Sequence, residues 1–248
     1  MGGTLGRVVL ATIVVALGST ARGESVDNCV SCHETAVLPM TLGHSFADWR
    51  ASPHGRANVG CEKCHGGDPR ATEAGAAHKD VLPADNPDSR VSPGNLLATC
   101  GGCHTQELNW YDSTVHSRLL KEKKKGATCF TCHGAMATGY PTPRELSERC
   151  SACHAKPMGA REALVMVSTL KHQLQQTEDA VAKAGADNPA WLPAARSRLE
   201  NLHRDYHGIQ LKWHAFRTRE VAKDCNDLLK LAHALDAEAE LMLHREKK

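Results

Sequence analysis

The pattern Cys-x-x-Cys-His occurs five times, at Cys29–His33, Cys61–His65, Cys100–His104, Cys129–His133 and Cys150–His154. It takes up ten of the eleven cysteines. This spacing is the attachment signature of c-type haem, in which two thiols bond to one porphyrin and the following histidine sits on its iron. Paired Cys-x-x-Cys motifs also build zinc ribbons, but five is odd and zinc does not account for the fifth residue. With 15 histidines in 248 residues, histidine at all five places is about a one-in-a-million coincidence. A disulfide framework has no use for that histidine either. The sequence therefore predicts five covalently bound haem c groups, attached through Cys29, Cys32, Cys61, Cys64, Cys100, Cys103, Cys129, Cys132, Cys150 and Cys153. The five iron ions rest on His33, His65, His104, His133 and His154.

The opening residues read as an export signal over 1–23: Arg7, an apolar run from Val8 to Gly18, and the small-x-small stretch Ala21-Arg22-Gly23. The run is shorter than the roughly 20 residues needed to cross a bilayer. A periplasmic location follows as the expectation, and haem attachment on the exported side agrees with it. Aromatic residues make up only 4% of the chain, so an ordinary core would be thin. Porphyrin faces would supply the missing apolar area, and the apoprotein is expected not to fold compactly. The formal charge of +2 becomes more acidic once propionates are added.

A pentahaem-binding region is expected over 24–158, and it contains a duplication spanning 29–66 and 100–134. The first copy runs from Cys29 through Trp49-x-x-Ser52-Pro53-His54 to Cys61–Gly66. The second runs from Cys100 through Trp110-x-x-Ser113-Thr114-Val115-His116 to Cys129–Gly134. Repetition at this scale marks a structural unit used twice. Loop signals such as Gly66-Gly67-Asp68-Pro69 and Ser92-Pro93-Gly94 separate the copies. No alternating pattern supports a sheet.

From about 159 to 248 the texture becomes helical. Ala163, Val167, Leu170, Leu174 and Val181 form one stripe. Leu192, Ala195, Leu199, Leu202, Tyr206, Ile209, Trp213 and Phe216 form a second, and the seam then slips to Val221, Cys225, Leu228 and Leu235. The fold class is thus mainly α, with little regular structure around stacked haems and a C-terminal long-helix hairpin. A continuous second helix would be about 75 Å long, so a bend or break is expected. The heptads also allow a homo-oligomer through these helices. Cys225 reads as a packed apolar side chain.

Each iron has one further axial position, and ten histidines lie outside the motifs. His54 and His116 hold equivalent places in the two copies and are the first candidates. His78, His207 and His214 complete the expected set, with His203 on the same helical stripe and His44 also open to the role. Met40, Met136 and Met158 are alternatives that would raise the potential. The basic run Lys121–Lys125 reads as a solvated face or a docking patch for an acidic partner.

These motifs resemble the multihaem cytochrome c superfamily that includes hydroxylamine oxidoreductase, ammonia-forming nitrite reductase and the cytochrome c554 group. The likeness lies in the five motifs, the Trp-x-x-Ser plus histidine elements and the Cys64–Pro69 stretch followed by Ala77-His78. It implies that His54, His78 and His116 serve as distal ligands and that stacked haems form an electron path. The nitrite reductase has lysine in its catalytic motif, whereas all five motifs here end in histidine. Tyr206 is weak evidence for a crosslinked catalytic tyrosine. The resemblance implies a periplasmic electron carrier between a quinol-oxidising membrane cytochrome and a terminal reductase. Its partners would be redox proteins, at times docked at a membrane quinol dehydrogenase, and not nucleic acid. The alternative is an oxidoreductase acting on a small nitrogen or sulfur compound at one open haem. Mass spectrometry of the exported protein should find five added haem groups; fewer would leave at least one motif unfilled.

Overall fold

The computed structural model describes residues 27–34, 44–123, 125–134, 136, 141–155 and 157–245. The signal segment, Met40 and Lys124 lie outside the described residues. Among the described residues there are helices and turns and no strand. Ten short helices come first: α1 (Asn28–His33), α2 (Phe46–Ala51), α3 (Pro53–Arg56), α4 (Cys61–His65), α5 (Ala74–Ala77), α6 (Leu96–Gly101), α7 (Thr105–Asp112), α8 (Val115–Lys123), α9 (Cys129–His133) and α10 (Pro143–Ser151). Three long ones follow: α11 (Met158–Asp187), α12 (Leu192–His214) and α13 (Thr218–Arg245).

Three motifs, in α1, α4 and α9, are single helical turns, which is the shortest way to bring two cysteines and a histidine to one side. Local chemistry starts and stops them. Asp27 caps α1 by accepting from the backbone N–H groups of Cys29 and Val30. Thr128 and Thr131 form a capping box at α9, as Thr142 and Glu145 do at α10. Gly66 and Gly134 end α4 and α9 at φ +82° and +72°, a backbone region that glycine enters without a Cβ clash.

The tail is held by an apolar seam. Leu170, Leu174, Val181, Leu202, Ile209, Val221, Cys225, Leu228 and Leu235 are buried together, with Leu170, Val221, Cys225 and Leu235 wholly excluded from solvent. Burying each of the larger side chains stabilises by about 1.5–3 kcal/mol. Cys225 is the packed apolar side chain its place on the seam suggested, and burial pushes its thiol up to about 11. The α11–α12 hairpin turns at Asn188. The expected break in the second helix falls at Ala215–Arg217, where Phe216 adopts φ +55°. The chain then returns as α13, which packs along α11 and α12 and makes the tail three helices deep. Thr177 is buried in the seam and donates to the Gln173 carbonyl at 2.9 Å, the usual way a helical threonine is satisfied.

The two halves differ sharply in how they exclude water. Ahead of Met158, Leu120 and Leu146 are the buried hydrophobic side chains among the described residues. Protein atoms alone therefore give that region almost no core. A substitution in the apolar seam of the bundle should act on stability without touching the first half. Leu174→Ala is expected to cost about 2–5 kcal/mol in a chemical melt, with the visible absorption spectrum of the native protein unchanged.

Candidate haem sites

The repeated Trp-x-x-Ser element is a helix-starting device that aims a histidine. Ser52 caps α3 by accepting from the Gly55 N–H at 3.1 Å, and Pro53 occupies the first helical position. His54 is therefore the second residue of its helix. The Trp49 indole locks the turn by donating to the Val59 carbonyl at 3.0 Å. In the second copy the cap is Thr114, whose hydroxyl accepts from the Ser117 N–H at 3.1 Å at the start of α8. His116 is again the second helical residue. Ser113 instead bonds back to the Trp110 carbonyl at 2.7 Å.

Each motif histidine has another histidine ring facing it. His33 faces His78 with ring centroids 5.8 Å apart, and His65 faces His44 at 5.9 Å. His104 faces His54 at 6.1 Å, His133 faces His214 at 6.2 Å, and His154 faces His116 at 5.8 Å. Direct ring packing does not require this recurrence. Two in-line metal–nitrogen bonds of about 2.0–2.1 Å, plus roughly 1.1 Å from each ring centre to its nitrogen, give a centroid separation of about 6.3 Å. The five gaps match a metal held between two imidazoles.

Tautomers and charge agree. Nδ1 of His78 lies 2.8 Å from the Ala74 carbonyl, and Nδ1 of His214 lies 2.8 Å from that of Gln210. An Nδ1–H donated there leaves Nε2 as the free lone pair. Burial holds His65 and His54 below the ordinary imidazole range, with His44 and His104 respectively as the added influence. Burial does the same at His116, reinforced by His154. His133 is brought down to about 4, first by burial and then by His214 and Arg149. These rings stay neutral, which is the ligating form.

Burial raises the Cys64, Cys132 and Cys150 thiols, while Cys129 is lowered by its hydrogen bond with Cys100. Burial, aided by Asp27, pushes the Cys29 and Cys61 thiols up to about 11. Among the described residues no disulfide is formed. Among the described residues no three His, Cys, Asp or Glu side chains converge on one metal position, as a zinc site requires. The space beside these cysteines is instead a continuous cavity of about 2180 Å³ that reaches residues of all five motifs. A pocket for one small ligand is about 300–1,000 Å³, so this space takes several large groups. Its walls include Val59, Leu82, Leu96, Leu108 and Leu164 beside the motif residues, and planar apolar rings would fit against them. The donor set, the gaps and the cavity all fit haem.

Consecutive motifs are also neighbours in space. Cys61 acts electrostatically on Cys29, Cys100 and Cys103 on Cys64, and Cys150 on Cys132. Cys100 and Cys129 are hydrogen-bonded to one another. Helix α4 packs on α6, α6 on α9, and α9 on α10. Asn28 at the head of α1 is tied to the loop after α4 through its N–H to the Pro69 carbonyl at 2.8 Å.

Known proteins carry the same signature. The family model described as cytochrome c554 and c-prime matches residues 14–66. The C-type polyheme cytochrome OmcC of Geobacter sulfurreducens is 28% identical over 187 residues, 63% of this chain and 22% of that protein. The C-type polyheme cytochrome OmcB of the same species is 30% identical over 115 residues, 42% of this chain and 13% of its own. The multiheme cytochrome MtrA of Shewanella baltica is 24% identical over 133 residues, 54% of this chain and 33% of that one. The chain is a multihaem c-type cytochrome. It spans a third or less of the length of these relatives. No solved structure matches this cytochrome significantly.

Of the expected axial candidates, His54, His78, His116 and His214 of this multihaem cytochrome each stand opposite a motif histidine. His207 does not. It lines the same cavity but is exposed, and it lies seven residues, about 10.5 Å, back along α12 from His214. The place opposite His65 belongs to His44, which the sequence left open without preferring it. Its signal was position: His44 precedes Trp49 by five residues, and the second copy has Thr105 at the matching place before Trp110. His203 instead lies 3.9 Å from Glu178 on the bundle surface, and His172, His233 and His244 are exposed. Met136 lines the cavity, while Met40 lies outside the described residues.

Gly67 positions one pair. It has φ +84°, and a Cβ there would lie 2.4 Å from the Ala77 carbonyl oxygen, next to His78. Gly67→Ala should therefore cost at least about 1–2 kcal/mol and displace α5. Absorption spectra should show a high-spin fraction in the variant as His78 withdraws from His33.

Proposed function

We propose that this chain is a periplasmic electron carrier with five bis-histidine haems arranged in chain order. The carrying observation is that all five motif histidines face a second imidazole at 5.8–6.2 Å. Haem supplies a one-electron ferric–ferrous couple. The ten motif cysteines would tether the groups through thioether bonds. The motif histidines would hold one face of each, and His78, His44, His54, His214 and His116 the other, following the chain from the first motif to the fifth.

Two fixed imidazoles per site favour electron transfer over substrate chemistry. Little has to reorganise when charge changes, and no coordination position is left for a small molecule. The pairing therefore supports the carrier over the alternative of an oxidoreductase with one open haem. Neighbouring motif cysteines support a relay from the first motif to the fifth. Cys32, Cys103 and Cys153 are exposed, so the first and fifth motifs, like the third, are open to exchange with redox proteins. A quinol-oxidising membrane cytochrome and a terminal reductase are the partners that suit such a relay. No helix among the described residues is long and apolar enough to cross a membrane.

The duplication explains why the tail is needed. In the first copy the residue five before the tryptophan is His44, which would serve the second motif. Threonine takes that place in the second copy, so the fourth motif would draw its ligand from the end of α12 as His214.

The oxidised protein should give only low-spin electron paramagnetic resonance signals. His214→Gly should convert about one haem in five to a high-spin form that binds cyanide, whereas His207→Ala should leave the spectrum unchanged. A high-spin, cyanide-binding fraction in the unmodified protein would instead favour the oxidoreductase.

A further inference from the structure

The five sites are not equivalent, and the fourth differs from the rest in three ways. Both of its rings are half-buried, whereas each of the other four pairs includes an exposed ring: His78, His44, His104 and His154.

A cation stands beside it. Arg149, from the residue just before the fifth motif, reaches back and donates from its guanidinium to the Cys132 carbonyl. That contact places the guanidinium against the backbone of the residue just before His133.

The third difference is orientation. The His133 and His214 rings are almost coplanar in direction, 12° apart, whereas the other four pairs are inclined by 49–75°.

Ferric haem iron carries one more positive charge than ferrous iron. Withdrawal from water disfavours the more charged state, and a nearby guanidinium repels it. At the fourth site both effects act in one direction, toward holding an electron. We propose that the site between His133 and His214 is the electron reservoir of the chain, reduced first and oxidised last, and that Arg149 is the positioning residue that sets its potential. The inference rests on the ligand reading above. The step is the gain of one electron by ferric iron from an external reductant, with no bond made or broken. A carrier built this way retains one electron between encounters with partners, midway between the third and fifth motifs.

The ring angle supplies a label. Near-parallel axial imidazoles give a rhombic low-spin resonance, and strongly inclined ones give a signal dominated by a single large g value. The whole oxidised protein would be titrated stepwise with dithionite and mediators while both signals are followed. The rhombic signal should be the first to disappear. Arg149→Gln should lower its midpoint and move its loss later, with haem content unchanged, and Arg149→Lys should keep the original order. If the rhombic signal outlasts another haem's signal in the unmodified protein, or Arg149→Gln leaves its midpoint in place, the reservoir is overturned and the ligand reading stands. If no rhombic signal is present in the oxidised protein, both fall.

Discussion

Facing imidazoles about 6 Å apart are the constraint on which the first half of this protein depends. Ring centroids 5.8–6.2 Å apart leave room for one metal ion between two imidazole nitrogens, and all five pairs share that spacing. A haem iron on the line between two such rings would bind them both. Bound in this way, the five pairs would crosslink distant segments. His54 reaches forward from before the second motif to the third, and His116 from before the fourth to the fifth. A region with two buried leucines can hold a single shape if those crosslinks are made.

The bundle plays a complementary part. Its seam folds on ordinary apolar packing, and its contribution to the haem region is concentrated at one corner. His214 closes α12 opposite His133. Phe216, in a left-handed conformation at φ +55°, sets its ring edge-on to His116 at 4.7 Å. Arg217 lies 5.1 Å over the Trp110 ring of the second copy. A non-glycine residue at positive φ is strained, and here the strain falls between His214 and the ring contact with His116. The break between α12 and α13 is thus part of the cofactor region as well as a turn in the bundle.

The likeness to OmcC, OmcB and MtrA fits the composition of this chain. Those relatives extend well beyond the matched segment, and this chain carries five motifs at uneven spacing. Such an array tolerates wide sequence variation, because what all five units share is two thiols and a histidine. Ser52 and Thr114 do equivalent work with different spacing to the next motif, which is how two copies diverged while still starting a helix at each histidine.

The sequence by itself determined everything carried by short-range covalent or helical geometry. The five motifs, the caps that aim His54 and His116, the apolar stripes and the position of the break are all spaced within a turn or a few turns of helix, where residue number fixes direction. It did not determine which distant histidine faces which motif. His207 and His214 share one stripe and differ only in distance along the axis, and His44 carries no periodicity at all. Only the tertiary structure decided which of them faces a motif histidine, because that approach is set by where two remote segments meet in space.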